Sequence, residues 1–174
     1  MVRLHDGGPA FFKQERVGLD GTTFTMFKFR TMHVDAEAMK ASLAEANEAD
    51  ASAGNSVMFK MANDPRVTRI GAFLRKTSID ELPQLFNVLR GDMSLVGPRP
   101  PLPSEVAQYE PRVMGKFAVR PGITGLWQIS GRSNLSWDET VHLDLSYAQH
   151  RSLTLDAWIV LQTIPALLRH EGAY

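Results

Sequence analysis

Between residues 11 and 32 large apolar positions alternate with polar ones in FFKQERVGLDGTTFTMFKFRTM, and Leu19-Asp20-Gly21 breaks the run with turn residues. A β-hairpin is the expectation. Lys28 and Arg30 alternate with Phe27 and Phe29, so a period of two places both cations on one strand face. An Ala- and Glu-rich stretch, 34–49, predicts a peripheral helix, followed by a small polar loop over 50–56 and the apolar run Val57-Met58-Phe59. The period then changes to 3.6. Thr68 is placed to cap a helix whose Ile70, Phe73 and Leu74 face the core. Ser78 and Glu81 have capping-box spacing, and Leu82, Leu85, Phe86 and Leu89 recur at i, i+3, i+4 and i+7. This predicts a helix from about residue 79 that buries the stripe and stops at Arg90-Gly91; Pro83 is tolerated only near such a start. Further on, 104–109 reads as a short helix after a proline cluster. Ser136-Trp137-Asp138-Glu139 is a second capping box opening a helix to about Gln149, and 154–169 is a markedly apolar helix. The elements predict an α+β fold: a compact, mostly helical single domain over 1–174, with a small antiparallel sheet or hairpin and an irregular Pro/Gly-rich region.

Composition narrows the function classes. The 174 residues suit one core, 44% being hydrophobic and 22% charged. Nineteen basic residues balance nineteen acidic ones, so nucleic acid is not an expected partner and any anion site must be local. The absence of cysteine excludes disulfides, thiolate zinc sites and cysteine nucleophiles. No run of about eighteen apolar residues is present, and the first residues lack a signal-peptide core. The Gly-rich segment Arg120-Pro121-Gly122-Ile123-Thr124-Gly125 is not a P-loop, and the five histidines lack metal-ligand spacing.

Candidate chemistry gathers in 63–101. Asp80 and Glu81 are adjacent carboxylates at a helix start; Arg66, Arg69, Arg75 and Lys76 precede them, and Gly97-Pro98-Arg99-Pro100 holds an arginine on a stiff loop. Each has a plainer reading: capping residues, a solvated helix face, a loop arginine, and for Lys28 and Arg30 a solvated strand face. Together they suit a phosphate, since carboxylates can hold Mg²⁺ while arginines fork onto the oxygens the metal leaves. Arg132, on the residues alone, can simply pair with Asp138 at the surface.

The block DPRVTRIGAFLRKTSIDELPQLFNVLRGDMSLVGPRP resembles the signature of the bacterial sugar transferases, polyprenyl-phosphate sugar-1-phosphate transferases of the monotopic phosphoglycosyl transferase superfamily. The likeness extends to FFKQERVGLDGTTFTMFKFRTM before it and to RPGITGLWQISGRSNLSWDETVHLDLSYAQHRSLTLDAWIVLQTIPALLR after it. The later blocks are most similar to the branch that starts exopolysaccharide and capsule repeat units. The resemblance implies transfer of a hexose-1-phosphate from a UDP-sugar to undecaprenyl phosphate, with release of UMP. It assigns Asp80 as a nucleophile forming an aspartyl phosphosugar, Glu81 as its metal- or proton-handling partner, and Mg²⁺ on both. Arg75 and Arg99 become phosphate clamps, with Lys28, Arg30 and Arg132 as further substrate contacts. It also implies a cytosolic catalytic domain on the cytoplasmic face of the bacterial inner membrane, without the membrane helix that such proteins carry upstream. The C-terminal helix would lie near the membrane surface, and self-association into a homo-oligomer stays open. Two rival classes fit the residues alone: a non-catalytic membrane-peripheral assembly module, and a Mg²⁺ phosphohydrolase working through an aspartyl phosphate.

Overall fold

A hairpin of β1 (Phe11–Val17) and β2 (Thr23–Phe29) forms where alternation predicts it, antiparallel and in the register Phe11 opposite Phe29 and Val17 opposite Thr23. Its reversal is a single 3₁₀ turn, Leu19–Gly21, in which Asp20 and Gly21 both take positive φ. The structure is a computed structural model that describes residues 7–36, 38–39, 64–131 and 135–169, the side chains of 168 and 169 excepted. Most of the helix expected over 34–49, the loop over 50–56 and the apolar run after it lie outside the described residues, as does Arg132.

Helix α1 (Arg69–Lys76) starts at Thr68, whose hydroxyl accepts the Gly71 N–H at 2.9 Å. It touches the chain after the hairpin so closely that a Cβ on Gly71 would stand 1.8 Å from the Thr31 carbonyl oxygen. Ile70 and Leu74 are half-buried, but Phe73, expected in the core, is 59% exposed because the close contact is made at Gly71 instead. Beyond α1 the chain reverses through Ser78, a non-glycine residue at φ 54°. It then makes a 3₁₀ turn, Ile79–Glu81, before α2 (Gln84–Arg90) begins behind Pro83. Ser78 therefore caps nothing with its side chain, and the expected capping box is not formed.

The stripe of α2 is inverted relative to expectation. Leu82, Leu85, Phe86 and Leu89 are 43–84% exposed, whereas Gln84 and Asn87 are buried. Asn87 decides the orientation. Its Oδ1 accepts the Phe27 N–H at 3.1 Å, and its Nδ2 donates to the Thr25 carbonyl at 2.7 Å and to Asp92 Oδ2 at 3.1 Å. The outer edge of β2 is thus closed by an amide side chain, which satisfies backbone groups that an apolar stripe would have left unpaired.

The second half supplies the core. β3 (Ser94–Val96) and β4 (Gly122–Thr124) pair in parallel, an arrangement beyond the antiparallel sheet expected. A Cβ on Gly122 would lie 2.1 Å from the Gly97 nitrogen, so glycine is what admits this approach. The short helix α3 (Pro103–Val106) packs on β1, α4 (Leu126–Ser130) packs on the two helices that follow it, and α5 (Trp137–His150) opens with the expected Ser136–Glu139 capping box. Asp138 pairs with Arg112 at 2.6 Å. The last helix, α6 (Leu153–Arg169), sends Ile159 into a cluster with Val96, Val119 and Tyr147, while Trp158, Leu161 and Ile164 stay exposed. The α+β class and a mostly helical composition are as expected.

Candidate active site

The turn Ile79–Glu81 places its carboxylates against β2. Asp80 is 8% exposed, and Glu81 Oε1 accepts from Lys28 Nζ at 2.8 Å. Burial holds the Asp80 carboxyl above the usual carboxylate range; Lys28 and Arg75 pull it back, and Glu81 adds to the rise. Arg75, in the last turn of α1, donates from Nε to Thr31 Oγ1 at 2.9 Å. The Gly71 contact with Thr31 therefore fixes both the helix and its terminal guanidinium.

Arg99 is held differently. Its Nη1 and Nη2 reach Glu105 Oε2 and Oε1 at 3.1 and 3.4 Å, and Glu105 Oε2 also accepts the Leu102 N–H at 2.8 Å. Glu105 is nearly buried, so the guanidinium is oriented by a fixed carboxylate. Arg30 is buried and donates from Nε to the Pro9 carbonyl at 2.7 Å.

One cavity of about 1190 Å³ joins these groups: Lys28, Arg30, Arg75, Asp80, Glu81 and Arg99 all line it. Every described residue that the family resemblance assigns to the site is therefore brought together, and Arg66 joins them, whereas Arg69 and Lys76 of the same cationic run are not among the lining residues. Its other wall is apolar, with Phe11, Phe12, Leu82, Leu85, Leu95, Val160 and Ile164, all substantially exposed. The site is an ionic floor under a greasy rim. Such an arrangement can bind a phosphate ester whose remainder is hydrophobic.

The model of a family described as bacterial sugar transferase matches residues 1–170. This chain belongs to the bacterial sugar transferase family. It is 50% identical over 169 residues to a galactosyl transferase, CpsE, of Streptococcus agalactiae, covering 97% of this chain and 36% of that protein. It is 46% identical over 169 residues to an undecaprenyl-phosphate galactose phosphotransferase of Salmonella typhimurium, covering 97% of this chain and 35% of that one. With the exopolysaccharide production protein ExoY of Rhizobium meliloti the identity is 44% over 174 residues, or 100% of this chain and 76% of that protein. The chain thus spans little more than a third of its longer relatives.

The donor set fits Mg²⁺. Among the described residues no cluster of three His, Cys, Asp or Glu side chains exists, but this ion is commonly held by one or two carboxylates together with substrate phosphates. Asp80 and Glu81 are adjacent in the cavity, and Lys28 is hydrogen-bonded to only one oxygen of Glu81.

Two residues escape the sequence reading. Glu105, at the third position of a four-residue helix, orients Arg99, and Arg16, on β1, lines the cavity behind it. The available signal was the alternation of Gln14 and Arg16 on one face of β1, which ordinary strand patterning also produces.

Proposed function

We propose that this domain transfers a hexose-1-phosphate from a UDP-hexose to undecaprenyl phosphate, releasing UMP, in two steps through Asp80. The observation that carries the reading is the joining of a carboxylate pair, Asp80 buried and Glu81 half-buried, with flanking cations and an apolar rim in one cavity. The names of relatives, which include galactose and glucose transferases, support a hexose donor and a lipid carrier as acceptor.

In the first step an Asp80 carboxylate oxygen attacks the sugar-bearing phosphorus and the bond to the UMP phosphate oxygen breaks, so UMP leaves with the electron pair. In the second, an oxygen of the lipid phosphate attacks the same phosphorus and Asp80 is released as carboxylate. Mg²⁺ held by Asp80 and Glu81 would neutralise part of the pyrophosphate charge as the anions approach. Lys28 restrains Glu81, and its charge lowers the proton affinity of Asp80 against the rise that burial causes. Arg75 and Arg99, each oriented by a fixed oxygen, receive phosphoryl oxygens. The exposed apolar wall suits a polyprenyl chain and the surface of the cytoplasmic leaflet. Among the described residues no helix is long and apolar enough to cross a membrane; the exposed apolar faces suit interfacial contact.

The test is product analysis with UDP-hexoses and Mg²⁺, with and without undecaprenyl phosphate. Lipid-dependent formation of a lipid-linked hexose diphosphate is expected, with stoichiometric UMP. Free hexose phosphate formed equally without lipid would make the protein a hydrolase, and no turnover with any UDP-hexose would favour a non-catalytic assembly role.

A further inference from the structure

Arg16 is 9% exposed, yet every hydrogen bond it makes goes to a neutral oxygen. Nε and Nη2 donate to Gln14 Oε1 at 3.1 and 2.5 Å, and Nη1 donates to the Pro100 carbonyl at 3.0 Å. Two of its five N–H groups are left over by this count. Among the described residues no carboxylate forms an ion pair with it. Glu105, the carboxylate that acts most strongly on its charge, is already engaged by both terminal nitrogens of Arg99 and by the Leu102 N–H. Arg99 itself repels Arg16, and its charge adds to burial in lowering the Arg16 pKa to about 10.

A guanidinium out of water needs a counter-charge, because desolvating an unpaired cation is costly. Glu105 is paired with Arg99, and Glu81, whose charge also favours the Arg16 cation, is paired with Lys28, so neither carboxylate is bonded to Arg16; both arginines line the cavity that holds Asp80 and Glu81. The missing negative charge is thus expected from whatever occupies the cavity. We propose that Arg16 is a phosphate-binding residue, its guanidinium presented to a phosphoryl oxygen beside that of Arg99. Gln14 and the Pro100 carbonyl are its positioning groups: they use one set of N–H donors, fix the plane, and leave the others for the ligand. The shared chemistry is a phosphoryl oxygen, which either the nucleotide-sugar pyrophosphate or the lipid phosphate could provide. The choice between those two rests on the transfer reading above; the existence of the anion site does not.

Thermal unfolding of the full chain in metal-free buffer with inorganic pyrophosphate as probe tests the site without turnover. Wild type is expected to gain stability with pyrophosphate, Arg16→Met to lose that gain, and Arg16→Lys to keep only part of it, since lysine lacks the fork. Gln14→Leu leaves the arginine in place but removes its orienting oxygen, and is expected to weaken pyrophosphate about tenfold; it decides the matter should the Arg16 variants not fold. Arg112→Gln, at an exposed arginine paired with Glu110 and Asp138, is the control and should behave as wild type. Steady-state kinetics then separate the sources. A rise in KM for UDP-hexose alone assigns Arg16 to the donor, and a rise for a short-chain polyprenyl phosphate alone assigns it to the acceptor. Absence of a pyrophosphate effect in wild type, or a wild-type effect in the folded variants, overturns the proposal. A wild type that binds pyrophosphate but turns over no UDP-hexose would remove the transfer reading and leave the anion site standing.

Discussion

Asp80 is buried beside Glu81, Lys28 and Arg75, and its neighbours make its charge state a balance. Asp80→Asn keeps the shape of the side chain and removes its charge, so the fold should survive while turnover falls by about a thousandfold or more. Glu81→Gln breaks only a partly exposed ion pair with Lys28, for which a stability loss below about 1 kcal/mol is expected. Its turnover should nevertheless collapse. Near-normal rates in both variants, with unfolding midpoints unchanged, would reduce the pair to structural residues. Glu105 offers a pH signature of its own. Burial raises its carboxyl, but Arg99, the Leu102 N–H and Arg16 together hold it below the ordinary value of 4.5. A depressed folded-state pKa contributes stability that is complete above the unfolded value and is lost as pH falls through the folded one. Between pH 6 and pH 3 the urea midpoint of wild type should therefore fall further than that of Glu105→Gln, which should start lower at pH 6 because it leaves Arg99 without its partner. Parallel pH curves would contradict the pairing. Asp80, Glu81, Arg75 and Arg99 could be found in the sequence because they sit within twenty-five residues of one another. Arg16 could not, because the carbonyl that orients it is 84 residues away.

At the scale of elements, α2 shows how a hydrophobic period can be read correctly and placed wrongly. Leu82, Leu85, Phe86 and Leu89 do share a face, but Asn87 on the other face makes the two bonds that attach the helix to β2 and a third to Asp92. Periodicity identifies a one-sided helix; it does not say which side the rest of the protein covers. Asn87→Ala should cost about 2 kcal/mol or more, since it orphans buried backbone groups. Leu89→Ser, at a position 84% exposed, should change stability by under about 0.5 kcal/mol. Denaturant unfolding of the two variants settles the orientation, because a buried stripe would reverse their order. Gly71 is the other test at this scale. An alanine there must push α1 away from Thr31, at a cost of about 1–3 kcal/mol from overpacking alone. Because Arg75 is anchored on Thr31 Oγ1, activity should drop with stability rather than after it.

Across the whole molecule, the hairpin, the helical C-terminal half and the α+β class were legible from alternation, capping boxes and period. The parallel pairing of β3 with β4 was not, because it depends on backbone contact between Gly97 and Gly122, twenty-five residues apart, and strands of three residues carry no usable period. Exposed apolar residues of α2 and α6, Leu85, Val160 and Ile164 among them, line the cavity, and with zero net charge the described residues would contribute to docking on a lipid surface through such local features rather than through bulk charge. Co-sedimentation with anionic vesicles at low salt is expected for wild type and should fall severalfold in Phe86→Ser/Leu89→Ser; equal binding by both would exclude α2 from the contact. The central claim is that Asp80 carries the sugar phosphate between donor and acceptor. Its most direct measurement is intact-protein and peptide mass spectrometry after incubation with Mg²⁺ and a UDP-hexose that the protein turns over, with no lipid phosphate present. The account predicts UMP release to no more than one equivalent and a hexose-phosphate mass on the peptide containing Asp80, absent in Asp80→Asn and discharged when lipid phosphate is added. Turnover that proceeds with lipid while no adduct forms without it, and continues in Asp80→Asn, would contradict the covalent route and make direct attack by the lipid phosphate the better mechanism.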